Sequence, residues 1–128
     1  MNTIHNPESV HPPVGSYSHA IEVPPNARWL FVAGQVALSP EGGFPETFAE
    51  QCEQAWTNLY RVLESAGMSR EDLVKLTIFL TREDDLPTFR EVRDRVLGSV
   101  RPATTLVFIR ALARPEWRVE IEGMAAKA

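Results

Sequence analysis

Residues Arg101 to Glu122 read RPATTLVFIRALARPEWRVEIE, and this stretch decides the fold. Thr104 to Arg110 alternates. Thr105, Val107 and Ile109 fall on one face, and Leu106, Phe108 and Arg110 on the other. Trp117 to Glu122 alternates more sharply, with Trp117, Val119 and Ile121 opposite Arg118, Glu120 and Glu122. Period two in apolar and β-branched residues marks a strand with one buried face, so two strands joined by a connection are predicted. Two acids on one face of a terminal strand mean that the face meets solvent, lines a site, or lies in a subunit interface.

Upstream, Leu73 to Thr81 (LVKLTIFLT) is largely apolar on both faces and reads as a central strand. Thr47-Phe48-Ala49-Glu50 is a capping box that opens a helix. Its apolar stripe is Phe48, Cys52, Ala55, Trp56, Leu59, Leu63 and Ala66, and Gly67 ends it. Asp84 and Asp85 offer an N-cap for a second helix running to about Leu97, with the stripe Leu86, Phe89, Val92 and Val96 and Gly98 as C-cap. Tyr17 to Val23 reads as the first strand, followed by a turn at Pro24-Pro25-Asn26. Trp29 to Ala37 is a second extended stretch. Gly34-Gln35 interrupts it, as at a bulge or a close backbone approach. Residues 1–14 read as an irregular arm and 39–45 as a loop. The order is β-β-(β)-α-β-α-β-β. It predicts one α+β domain over residues 1–128, a mixed six-stranded sheet with two helices packed on one face. The other sheet face is left bare and apolar, and a further copy of the chain is its natural cover.

Composition sets the outer limits. With 44% hydrophobic and 23% charged residues, the chain is that of an ordinary globular domain. A net charge of -4 argues against a nucleic-acid surface built on bulk positive charge. Cys52 is the only cysteine, which fits a reducing compartment. On the first helix's apolar stripe it reads as a small buried hydrophobe rather than a catalytic thiol. The first residues lack the basic and apolar regions of a signal peptide. No apolar run approaches the roughly 20 residues that span a bilayer, so a cytoplasmic protein without membrane contact is expected. His5, His11 and His19 match no compact ligand spacing and read as solvated loop histidines. Neither metal nor cofactor is expected.

Several segments together resemble the RidA/YjgF family of reactive imine and enamine deaminases. They are GSYSHA at 15–20, LFVAGQV at 30–36, QAWTNL at 54–59 and VLESAG at 62–67. LVKLTIFLT at 73–81, RPA at 101–103 and VEIEG at 119–123 complete the series. The likeness covers nearly the whole chain. It implies a chorismate-mutase-like fold, and a homotrimer whose sheets form a central barrel with small-molecule clefts at the subunit interfaces. Family deaminases hold the substrate carboxylate with an arginine two residues after the proline of the penultimate strand. Here that position is Thr104. A hydroxyl supplies neither the charge nor the two-pronged fork of a guanidinium. The family's frequent cysteine is Leu106, and the serine before Gly34 is Ala33. Aligning the second helix on Asp85, Leu86 and Phe89 places the family's asparagine at Arg93 and its tyrosine at Val96. Tyr17 and Glu120 match.

The resemblance therefore implies a kept scaffold and a rewritten site. Glu120 and Tyr17 are the candidate catalytic residues. Thr104, Thr105, Arg93, Ala33, Gly34 and Leu106 are the candidate substrate contacts. Three of them have an alternative: Glu120 as an interface acid paired with Arg118 or a neighbouring subunit, Tyr17 as a buried hydroxyl satisfied by backbone, Arg93 as a solvated helix arginine or one paired with an acid. Arg90, Arg110, Arg114 and Arg28 are further cations of unassigned position. Two functions compete. One is a hydrolase or deaminase of imine- or enamine-type metabolites other than standard 2-imino acids. The other is a metabolite-binding or regulatory trimer without chemistry.

Overall fold

The computed structural model describes residues 1–128. Its strands are β1 (Thr3–His5), β2 (Ala20–Glu22), β3 (Arg28–Gln35), β4 (Leu73–Leu80), β5 (Ala103–Phe108) and β6 (Val119–Lys127). The helices are α1 (Phe48–Ser65) and α2 (Leu86–Leu97), and single 3-10 turns at Arg70–Asp72 and Glu83–Asp85 lead into β4 and α2. The six strands divide. Four form the main sheet in the order β3-β6-β4-β5, and β1 pairs with β2 in a separate ribbon. β5 runs parallel to β4, and the other pairings of the main sheet are antiparallel, so the sheet is mixed.

The two strands of the opening stretch end elsewhere than their alternation suggests. β5 stops at Phe108, and β6 begins at Val119 and continues through Gly123 to Lys127. The apolar pattern marks where a strand is half-buried, whereas its length is set by the partner. β6 is held on both sides, by β3 and by β4. The Tyr17–Val23 stretch contributes only Ala20–Glu22, and its partner Thr3–His5 lies inside the segment expected to be irregular. The residues before it go to the edge of β5. The Ser18 N–H donates to the Pro102 carbonyl at 3.2 Å, and its Oγ donates to the Arg101 carbonyl at 2.5 Å.

α1 starts with one half of the expected capping box: the Thr47 hydroxyl takes the Glu50 N–H, and the Glu50 carboxylate meets that hydroxyl instead of the Thr47 N–H. Thr47 Oγ1 accepts from the Glu50 N–H at 3.3 Å and lies 2.7 Å from the Glu50 carboxylate. The helix presses Cys52, Trp56, Leu59 and Leu63 onto Leu76, Ile78 and Leu80 of β4 and Val119 and Ile121 of β6, all with at most 1% exposure. Full burial of each such Leu or Ile contributes about 1.5–3 kcal/mol relative to exposure. Gly67 and Gly98 follow the helices at φ 69° and 59°, where a Cβ would be strained.

Asp85 occupies the N-cap position of α2 but does not cap it. Its carboxylate takes the Arg118 guanidinium instead, with Nη2–Oδ1 at 2.5 Å and Nε–Oδ2 at 3.1 Å. The Arg118 guanidinium also lies over the Phe48 ring, 5.3 Å from its centroid. One two-pronged ion pair thus fixes the start of α2 to the start of β6 and the first turn of α1.

Candidate functional site

Strand register sorts the candidate residues into two groups. Residues paired across neighbouring strands share a face. Thr104 pairs with Leu76 and Leu106 with Ile78, which places both on the helix-covered face of β5. Thr105 pairs with Thr77 on the opposite face, where the Lys75 ammonium donates to its hydroxyl at 2.8 Å. Glu120 pairs with Phe79 on that same bare face.

The first group lines a cavity of about 300 Å³. The arm supplies Val14, Gly15 and Tyr17, α2 supplies Leu86, Arg90 and Arg93, and β5 supplies Thr104 and Leu106. The helix pattern explains the arginines. Leu86 and Phe89 turn apolar groups toward the sheet, and positions 90 and 93 follow one turn on at the rim of the same face. The Arg93 side chain is only 11% exposed. Its Nε donates to Asp94 Oδ1 at 3.1 Å, and its guanidinium carbon lies 6.0 Å from the Phe89 ring centroid. Asp94 Oδ1 also accepts the Ser16 hydroxyl at 2.6 Å. The Ser16 hydroxyl, and after it the Arg93 guanidinium, hold the Asp94 carboxyl below the usual aspartate range. This tether draws the arm over α2. A Cβ on Gly15 would sit 3.4 Å from Arg93 Nη2.

Two hydroxyls complete this wall. Thr104 Oγ1 donates to the Pro102 carbonyl at 2.9 Å, so its proton is committed to its own strand. Tyr17 Oη accepts the Val14 N–H at 3.3 Å, which leaves its proton free to donate.

The second group is built around a bulge. The β3–β6 register shifts between Val32 and Gln35, as a glycine inside that strand predicts, and Ala33 is exposed there. The Glu120 side chain lies across Gly34 so closely that a Cβ there would come within 2.9 Å of Glu120 Cγ and nearer still to the carboxyl. Burial, and then the neighbouring Glu122 charge, push the Glu120 carboxyl above its ordinary value of 4.5. Arg118, the partner weighed for Glu120 from the sequence, is taken by Asp85.

Within one chain, Tyr17, Arg93, Thr104 and Leu106 are therefore together, while Glu120, Gly34, Ala33 and Thr105 lie on the opposite face. Thr104 and Thr105 lie on opposite faces because neighbours along a strand point apart, as the alternation of the stretch implies. Arg90 proves to be a lining residue that the sequence offered only as one of several unplaced cations. Its spacing of three from Arg93 on one helix is the signal that finds it. Arg28 donates to the Ala66 carbonyl at 3.4 Å, and Arg114 stacks over Trp117 at 5.0 Å, both away from the cavity. His5 pairs with Glu22 at 2.8 Å, and His19 Nε2 donates to the His11 carbonyl at 2.6 Å. Burial pushes the Cys52 thiol up to about 12, which makes it a packed hydrophobe. A second depression of about 310 Å³ lies at the far end of α1 between Tyr60 and Glu71, and no candidate residue reaches it.

Comparison with known proteins gives consistent matches. The model of the family described as Endoribonuclease L-PSP matches residues 8–127. A RutC family protein of Aquifex aeolicus is 39% identical over 121 residues, 90% of this chain and 91% of that protein. The 2-iminobutanoate/2-iminopropanoate deaminase of Mus musculus is 34% identical over 116 residues, 89% of this chain and 83% of that protein. The solved structure of YyfB from Yersinia pestis, a Rid family protein of unknown function, superposes with a TM-score of 0.87 at 30% identity over 98% of each chain. The shared architecture is the chorismate-mutase-like α+β fold.

Proposed function

The chain belongs to the RidA/YjgF family, the one that the L-PSP model describes, and from that premise we propose that it hydrolyses imine- or enamine-type metabolites in clefts between copies of itself, with ordinary 2-imino acids outside its range. The carrying observation is the division of the candidate residues between two faces of one sheet. The helix-side cavity holds Tyr17 and Thr104, and the bare face holds Glu120 over Gly34. Two such half-sites complete each other when they come from different copies.

The bare face supports that assembly. It carries Trp29 and Phe31, 48% and 70% exposed and stacked at 6.1 Å, together with Val107 and Met124. Apolar surface of this kind is uncommon on a monomer and marks an interface. A homotrimer closing these faces into a barrel is the arrangement that family membership favours. No helix is long and apolar enough to cross a membrane.

The chemistry needs few parts. Water adds to the imine carbon, the C–N bond breaks, and nitrogen leaves as ammonia while a carbonyl remains. Glu120 as a carboxylate takes a proton from the attacking water. Tyr17, with a free hydroxyl proton, donates to the substrate. The reason to exclude 2-imino acids is Thr104, uncharged and with its proton committed to Pro102.

Ammonia release from enzymatically generated 2-iminobutanoate and from a panel of other imines and enamines tests this reading. Acceleration of at least one panel member, and none of 2-iminobutanoate, is expected. Turnover of no compound would leave a metabolite-binding trimer in its place, and fast turnover of 2-iminobutanoate would sink the exclusion. Gly34→Ala is a second check. The added Cβ displaces the flexible Glu120 side chain rather than backbone. Turnover should fall by about 10²-fold, the scale of an ångström's misplacement, with the melting temperature close to that of the wild type. Unchanged turnover would show that the Glu120 carboxyl need not sit over Gly34.

A further inference from the structure

The cavity beside β5 is unequal in charge. Its lining holds two arginines and no acid. Arg90 makes no ion pair, and the one carboxylate on Arg93, that of Asp94, is shared with the Ser16 hydroxyl. Asp94 itself is half-exposed and lies outside the lining. Arg93 is therefore steadied on one edge by Asp94, below by the Phe89 ring and above by the Gly15 backbone. A planar guanidinium held in this way forms paired bonds to an oxyanion with little further loss of freedom.

We propose that Arg90 and Arg93 form an oxyanion-binding site on α2 that receives a carboxylate or phosphate group of the substrate. The inference rests on the hydrolase reading above for the word substrate, though not for the site. Tyr17 adds a donor from the arm, because its hydroxyl accepts from Val14 and keeps its own proton. Leu86 and Leu106 give the site an apolar flank that strengthens the charge interaction.

The wall that holds the anion also limits the substrate. In a 2-imino acid the carboxylate is bonded directly to the reacting carbon, so the wall that holds one holds the other. An anion held from α2 rather than β5 suits a compound whose charged group stands off from its C=N bond. The change of residue at position 104 and the arginines at 90 and 93 are then two sides of one relocation. The charge has moved from the strand to the helix.

Titration calorimetry of the intact protein with inorganic phosphate and, separately, with 2-oxobutanoate tests the site without requiring turnover. Binding of at least one is expected, and the tighter one names the group. Arg93→Gln should weaken it by about tenfold or more, and Arg93→Lys should recover only part, because an ammonium lacks the fork. Arg90→Gln changes an exposed side chain and cannot unfold the domain, so it should weaken binding several-fold on its own. Arg95→Gln, on the same helix but paired with Glu53, should leave binding unchanged. No binding of either anion tighter than about 10 mM overturns the site, as does binding that survives both Arg90→Gln and Arg93→Gln. Turnover of neutral enamines without anion binding would overturn the site and keep the hydrolase. Anion binding without turnover of any imine would keep the site and remove the hydrolase.

Discussion

Glu120→Gln is expected to cut ammonia release by about 10²- to 10⁴-fold, the usual contribution of a positioned general base, without loss of stability. The amide keeps the shape that rests on Gly34 and loses only the ability to take a proton. Stability should move slightly the other way. Burial and Glu122 raise the Glu120 carboxyl above 4.5 in the folded chain. A raised carboxyl favours the folded state at low pH. That contribution is lost as pH climbs through the folded value, so near neutrality the ionised group is a small burden. Glu120→Gln removes this burden, and its stability gain over the wild type should vanish in acid. The rate should carry the same signature. Turnover by the wild type should rise with pH along a limb lying above 4.5, and the limb should be flat in the variant. Full activity in Glu120→Gln would remove this residue from the reaction. A limb that persists in the variant would assign it to another group.

Asp85→Ala is expected to be strongly destabilising. Asp85 is 8% exposed at its side chain and Arg118 20%, and the pair forms both prongs of the bond. Deleting the acid strands a largely buried guanidinium against Phe48. Breaking one partner of such a pair costs about 3–5 kcal/mol. For a domain of this size that is a fall in melting temperature of roughly 10 °C or more. The double variant Asp85→Leu/Arg118→Met should recover most of the loss, because apolar groups of similar volume replace the pair without an orphaned charge. Thermal unfolding of the two single variants and the double gives the coupling directly. A loss under about 1 kcal/mol for Asp85→Ala would mean that Arg118 finds water or another acceptor. Because this pair anchors the first turn of α2, Asp85→Ala should also loosen the helix that carries Arg90 and Arg93.

Much of this architecture is local and could be read from the chain. The stripe of α1, the Thr47–Glu50 box and the alternation at Trp117–Glu122 depend on neighbours within a turn or a pleat. The glycine at position 34 signals the bulge locally, but what excludes a side chain there is Glu120, which belongs to another strand. The partner of Arg118 could not be read that way. Asp85 precedes it by 33 residues, and three acids lie together at Glu83–Asp85. Only the packing selects the one that sits beneath the start of β6. The same holds for the sorting of the site. Thr104 and Thr105 are both polar, and only the pairing of β5 with β4 sends the first to the cavity and the second to the bare face. The placement of two arginines of α2 in the cavity was half legible. The resemblance points to Arg93, and the spacing of three then points from Arg93 to Arg90 on the same helix.

The stacked Trp29 and Phe31 have a spectroscopic consequence. The chain has three tryptophans. Trp56 is sealed in the core, and Trp29 stands 48% exposed on the bare face. Indole emission shifts to shorter wavelength when water is removed from around the ring. Trp29 is thus a built-in gauge of that face: its emission colour, followed through a dilution series, records how much of the sheet another surface covers, with no dye attached.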